Sequence, residues 1–306
     1  MKRLVTTAMV IGVLAIAGCS GGGSASPAAT RNPGGVPTSP VSPPAVTASP
    51  TVSSLNNASL PLDRYTTTAD EYAELNYASK LMTAECMKRF GITYNPGKRL
   101  KLLDYRDRTN DLGLIDEAHA ARFGYHMDPA RYSKHDTNSN PGLTTAQSYI
   151  LFGERLGKSD REGVPEDGCM GEGYRKVGWS TEDDVWLQEL GNDAKSRAFA
   201  DKRAVALMAD WSTCMRKSGY RYDNVDDVNN DQRWWKDEDA PAGRAEKNTA
   251  LADVRCKKKL NYLGTMTSIL VAYQQQIVEA NLERLESVRA ATQQALKNAA
   301  AVLGGR

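Results

Sequence analysis

From residue 68 onward, apolar side chains recur every three or four positions, the spacing of one helix face. Thr68-Ala69-Asp70-Glu71 opens the first such stretch as a capping box, with Thr at the N-cap and Glu at N3. Tyr72, Leu75, Ser79, Met82, Cys86 and Phe90 follow on one stripe, and Gly91 closes it at C′. Helices are also predicted over Asp111 to Phe123, Thr144 to Leu156, Asp167 to Val177 and, behind a Ser180 cap, Thr181 to Leu190. A long helix is predicted from Asp193 to Ser218, ended by Gly219, and Ala245 to Leu263 and Thr267 to Val302 complete the set. The last carries Leu270, Tyr273, Ile277, Ala280, Val288, Ala295 and Ala299 near a heptad stripe. Arg284 interrupts that stripe, which argues for packing on its own domain rather than a long coiled coil. No persuasive period-2 alternation occurs, so the expected class is all-α.

Ahead of this region the helical pattern is lost. Residues 1–19 read MKRLVTTAMVIGVLAIAGC: two bases, an uncharged apolar run from Leu4 to Ala17, then small residues before cysteine. The run is too short for an ordinary spanning helix and has the build of a signal peptide. Ile16-Ala17-Gly18-Cys19 resembles the lipobox of bacterial lipoproteins, which implies cleavage before Cys19 and a diacylglycerol on its thiol. Two acyl chains give a stable anchor where one is marginal. The expected location is the extracytoplasmic face of a bacterial cell membrane, with that membrane as the first partner. Residues 20–62 hold eight of the 13 prolines, the rest being mostly Gly, Ser, Thr, Ala and Val, and Arg31 is their only charge. Such a segment is expected to be a disordered tether, spanning roughly 35–40 Å as a coil and up to ~130 Å as polyproline II. The predicted organisation is a removed signal over 1–18, a lipidated linker over 19–62, and two helical halves over 63–178 and 179–306.

Charge changes little once the signal is set aside. Lys and Arg number 39 against 37 Asp and Glu, a net charge of +2. Removing Lys2 and Arg3 leaves equal numbers of bases and acids. No basic excess marks a nucleic-acid binder. A mean hydropathy of −0.52 excludes a multi-span membrane protein.

Setting Cys19 aside leaves Cys86, Cys169, Cys214 and Cys256, an even count that reads as two disulfides in an exported protein. An internal repeat bears on the pairing. Cys86-Met87-Lys88-Arg89-Phe90-Gly91-Ile92-Thr93-Tyr94 matches Cys214-Met215-Arg216-Lys217-Ser218-Gly219-Tyr220-Arg221-Tyr222. Each reads as a helix end that buries its Cys, places bases at the C-terminus and closes with Gly. If the halves are duplicates, each carries its own bridge, Cys86–Cys169 and Cys214–Cys256; the rival pairing joins Cys86 to Cys214. No CxxC pair supports zinc. The second half, through Trp211-Ser212-Thr213-Cys214-Met215, Gly219-Tyr220, Ala252-Asp253-Val254-Arg255-Cys256-Lys257 and Tyr273-Gln274, resembles uncharacterised secreted lipoproteins of actinomycete-type bacteria. The first half joins that resemblance through Gly124-Tyr125-His126 and Gly168-Cys169-Met170. It implies location and fold, and brings no activity.

Other motifs are weak. Gly153 to Ser159 has three residues between its glycines where a phosphate loop needs four. Asp227, Asn229, Asp231 and Glu238 follow an EF-hand count, but Gln232 stands where glycine is required. Trp234-Trp235 offers either a pair for stacking on cell-wall glycan or a small hydrophobic cluster over a loop. His119, His126 and His135 have no HExxH, GxSxG or SxxK motif around them, although Asp116-Glu117 lies near His119. Lys257-Lys258-Lys259 reads as a solvated helix face. Neither a cofactor nor a metal is expected. The reading is an anchored, non-catalytic binding protein whose partner is cell-wall glycan or an envelope protein. Two alternatives are a wall hydrolase using paired carboxylates and an accessory partner of an export or signalling system.

Overall fold

Side-chain caps set most of the helix starts. In the computed structural model, which describes residues 42–46, 49–99, 111–129, 142–153, 162–237 and 240–304, the Thr68 capping box starts α1 (Ala69–Arg89). The Glu71 N–H donates to Thr68 Oγ1 at 3.2 Å, and the Thr68 N–H donates to the Glu71 carboxylate at 2.6 Å. Asp116 caps α2 (Glu117–Phe123), and Thr144 caps α3 (Thr145–Phe152). α4 (Gly168–Val177) ends on a left-handed Gly178, and Ser180 then caps α5 (Thr181–Ala200). α6 (Lys202–Lys217), α7 (Val225–Asn229), α8 (Arg244–Lys259), α9 (Tyr262–Ala280) and α10 (Leu282–Gly304) follow. Every regular element among the described residues is helical, as the 3.6-residue periodicity predicts.

Several boundaries differ from the prediction: α2 starts at Glu117 rather than Asp111, and α8 gives way to α9 at Leu260-Asn261 rather than after Leu263. The break at Gly191-Asn192 is absent, because a helix tolerates one interior glycine at about 1 kcal/mol relative to alanine. The chain breaks instead at Asp201, whose carboxylate accepts from the Arg203 N–H and side chain and from the Tyr273 O–H. A second break falls at Asn281, whose side chain donates to the Ile277 carbonyl at 2.8 Å. α7 lies in a stretch that reads as an acidic loop; Asn224 caps it, and Val225 and Val228 bury its inner face.

Packing crosses the predicted halves. α1 packs on α4, and α10 lies against both. There Leu75, Ala78 and Val177 meet the small Ala295 and Ala299 of α10, with Trp179 at the edge. α5 packs on α9 and α6 on α8, but α2 from the first half lies on α8. A cut at residue 178 therefore separates no two bodies, and the described residues belong to one unit, Ser39–Arg306. Cys86 is bonded to Cys169 with Cα atoms 5.4 Å apart, and Cys214 to Cys256 at 5.7 Å. The bridges thus staple α1 to α4 and α6 to α8, one in each of the two repeats.

The predicted tether boundary at residue 62 also moves. Leu55, Leu60 and Leu62 are buried, and the Leu62 N–H donates to Gln274 Oε1 at 3.1 Å. Upstream, Arg203 donates to the Pro44 carbonyl at 2.9 Å, Asn261 to Ser49 and Pro50, and Gln276 to Ser42. A Cβ on Gly264 would collide with the Pro50 carbonyl, so that glycine lets the strap lie close on α9. Composition misleads here because three leucines suffice to dock a strap whose prolines have little backbone freedom to lose. Cys19 and its flanks lie outside the described residues. Among the described residues no helix is long and apolar enough to cross a membrane.

Candidate functional site

The Gly124-Tyr125-His126 turn carries the end of α2 down onto α8. A Cβ on Gly124 would run into the Glu246 carboxylate, so glycine permits that approach. Glu246 is buried and accepts from the Tyr125 N–H at 2.8 Å and from His126 Nδ1 at 2.8 Å. A carboxylate accepts, which places a proton on Nδ1. Two turns further along α8, Asp253 is fully buried. It accepts from Trp211 Nε1 at 2.9 Å, from Lys257 Nζ at 2.9 Å and from the Tyr125 hydroxyl at 3.3 Å. Lys257 Nζ also donates to the Leu114 carbonyl at 3.0 Å.

These contacts explain how a charge is tolerated in the core. A bare carboxylate there would cost several kcal/mol, and three donors, one of them a cation, offset it. Burial pushes the Asp253 carboxyl up, against the ammonium of Lys257 and the hydrogen bonds from Lys257, Trp211 and Tyr125. Burial and the Asp253 carboxylate push the Tyr125 phenol far up, so it stays a donor. The solvated reading of the lysine run fails at Lys257, which faces inward one turn after Asp253. Lys258 pairs with Glu117 at 3.0 Å, and Lys259 is exposed as predicted.

The two tryptophans separate in role. Trp234 is only 7% exposed, its Nε1 donates to the Val228 carbonyl, and its ring stacks on Tyr125 at 6.4 Å. With Arg233 over the same ring at 4.7 Å, Trp234 is a core side chain and presents no open ring for a sugar. Trp235 is half-buried; its Nε1 donates to Asn229 at 2.8 Å and its ring lies 4.7 Å from that of His126. Trp235 is thus supported in depth: Asp253 holds Tyr125, Glu246 holds Tyr125 and His126, and His126 backs Trp235. In front of Trp235 lies an open cleft of about 650 Å³ between α5 and α7. Met127 and Phe199 give it apolar surface, and Asn192, Lys195 and Asp226 line it with polar groups.

The remaining candidates disperse. His119 Nε2 lies 2.8 Å from the His126 carbonyl, and His135 lies outside the described residues. Asp231 is engaged by Arg233 and by the Tyr222 hydroxyl, and Asn224 holds Asp227. Glu238 lies outside the described residues, and no group of three metal-ligating side chains is assembled among those described. Gly153 caps α3, and the rest of the Gly153–Ser159 motif falls outside the described residues. Sequence reasoning finds Trp235 and marks Tyr125, Trp211 and Asp253 only as motif letters. It misreads Lys257 as solvated and misses Glu246; the four-residue spacing of Asp253 and Lys257 is a usable signal, whereas nothing local points to Glu246. No family model, curated protein or solved structure matches the chain.

Proposed function

We propose that the chain is an extracytoplasmic lipoprotein, held to the membrane by diacylglycerol on Cys19, that binds an envelope component at the Trp235 cleft without catalysis. One observation carries the binding role: a partly exposed indole, fixed by a hydrogen bond and backed by a buried network, at the edge of an open, mixed-polarity cleft. Fixing the ring in advance lowers the ordering cost of binding. The anchor rests on the lipobox resemblance. Between Cys19 and the docked strap lie 22 residues, whose fully extended length bounds their separation at about 75 Å.

The test uses the full-length protein extracted in detergent and sedimented with purified cell envelopes. Wild type co-sediments, and Trp235→Ala lowers the retained fraction at least about tenfold. Equal retention removes the cleft from the reading. Muropeptide release by wild type that is lost in Asp226→Asn would replace binding by hydrolysis. Cys19→Ala is expected to move the protein from the membrane to the medium, and undiminished membrane retention would refute lipidation.

A further inference from the structure

The Trp235 cleft does not stop at α5. A second cleft, of about 610 Å³, shares Asp111, Asn192 and Lys195 with it and continues towards Leu60 and Leu62 of the strap. Asp184, Gln188, Asn192, Lys195 and Phe199 line the two clefts at spacings of three and four, so they form one face of α5. From Asp184 to Phe199 that face is about 22 Å long. Gly191 lies in its middle with nothing within 4 Å of the position a Cβ would take. A helix interior gains from alanine over glycine, so this glycine leaves depth in the groove at the helix's expense. Among the described residues, Asp63, Asp111, Asp184 and Asp226 line the two clefts against the one ammonium of Lys195.

We propose that the two clefts form one groove along α5 that takes an extended, uncharged or cationic glycan strand, with Trp235 as the stacking platform at one end. The inference rests on the binding role of the Trp235 cleft and adds its ligand class and length. A pyranose has an apolar face for the indole and a rim of hydroxyls for amide and carboxylate side chains, the pairing that Trp235, Asn192, Gln188 and Asp226 supply. A string of side chains at helical repeat suits a linear polymer rather than one small molecule. Excess carboxylates repel phosphate-rich and uronic polymers.

The probes are β-1,4-linked N-acetylglucosamine dimer and hexamer, titrated calorimetrically into the full-length protein in detergent. The hexamer binds at least about tenfold more tightly than the dimer, since the added units gain hydrogen bonds along α5. Gly191→Phe fills the groove and brings hexamer affinity down to that of the dimer, Gly191→Ala leaves both unchanged, and Trp235→Ala weakens both. Gln188→Trp, exposed on the same face, gives the same blocking test should Gly191→Phe lose its fold. Equal affinity for dimer and hexamer, or a hexamer advantage that survives both blocking variants, overturns the groove; loss of dimer binding in Trp235→Ala then still supports the cleft. Absence of binding to either oligomer overturns the ligand class, and tighter binding of a polyanion such as heparin overturns the charge argument. Envelope co-sedimentation that depends on Trp235 would survive both results, so failure of the glycan and failure of the cleft are distinguishable.

Discussion

At the end of α1 the Ile92 N–H donates to the Met87 carbonyl at 3.1 Å and the Gly91 N–H to Lys88 at 2.9 Å. At the end of α6 the Tyr220 N–H donates to Met215 at 2.9 Å and the Gly219 N–H to Arg216 at 3.0 Å. Both are the same six-to-one and five-to-two closure, with glycine in the left-handed region at φ 72° and 90°. Both methionines are fully buried, and both preceding cysteines bridge to a neighbouring helix. The surroundings then diverge. The first bridge sits among the apolar Met87, Ile92, Ile150 and Leu151, with the exposed Arg89 guanidinium 3.3 Å from Cys86 Sγ at its rim. The second sits beside the Asp253 network, where Trp211 on α6 and Lys257 on α8 meet one buried carboxylate. A nine-residue motif thus sets how a helix ends, while distant residues set what the core around it is made of.

The two bridges give the largest test of that likeness. They close loops of 83 and 42 residues, and because loop entropy grows only as a logarithm, their stabilisation is about 4.5 and about 4 kcal/mol. Cys86→Ala/Cys169→Ala and Cys214→Ala/Cys256→Ala should therefore lower the urea-unfolding free energy by amounts within about 1 kcal/mol of each other. A much larger loss at one pair would show that the bridges are not equivalent staples.

The buried charge is where the regions should part. Asp253→Ala leaves Lys257 unpaired in the core and is expected to cost about 3–5 kcal/mol, with no counterpart in the first repeat. Replacing both partners, as Asp253→Leu/Lys257→Met, should recover most of that loss by urea denaturation, because desolvation of the two charges is removed together. If the double variant is as unstable as the single one, the network is shape-critical rather than merely charge-balanced.

Acid should separate the regions in the same sense. The hydrogen bonds from Arg203 hold the Asp201 carboxyl at about 2, below its ordinary value. A depressed folded value means this stabilisation is present above about pH 4 and is lost as pH falls through about 2; the loss is at most about 2 kcal/mol. Asp201 sits at the start of α6 and clamps Arg203, which holds the Pro44 carbonyl. Amide exchange over that pH window should therefore rise in α6 and the strap before it rises in α1 and α4. Simultaneous loss of protection would mean that the clamp does not set acid stability.

These contrasts also mark what was legible in the sequence. The Thr68 box, the Gly91 and Gly219 closures and the all-helical class are local patterns, and each forms as read. Pairing within the repeats rested on a likeness between distant segments, which the bridges share. What stayed hidden was long-range. Nothing near Leu55 shows that Gln274 and Asn261 will receive the strap, and nothing near Glu246 shows that a turn more than a hundred residues earlier will land on it. The break at Asp201 was hidden for the same reason, since Tyr273 from α9 helps to hold its carboxylate. Of the site, Trp235 was visible as an aromatic in a polar segment, but the burial of Trp234 depends on Tyr125 and on the unexpected α7.

The smallest effect gives the sharpest comparison. Gly91 and Gly219 have nothing within 4 Å of the position a Cβ would take, so an alanine at either meets no neighbour. The cost left is the backbone strain of holding an L-residue in the left-handed region, about 1 kcal/mol. Gly91→Ala and Gly219→Ala should therefore lower stability by the same amount to within about 0.5 kcal/mol, although one helix ends in an apolar setting and the other beside a buried ion pair. Paired urea titrations of the two variants read that difference directly. Equality would show that the helix end is a local device, insulated from the core that it joins. A clear excess at Gly219 would show instead that the Asp253 network, through α6 and its bridge to α8, has tightened the geometry of the end itself.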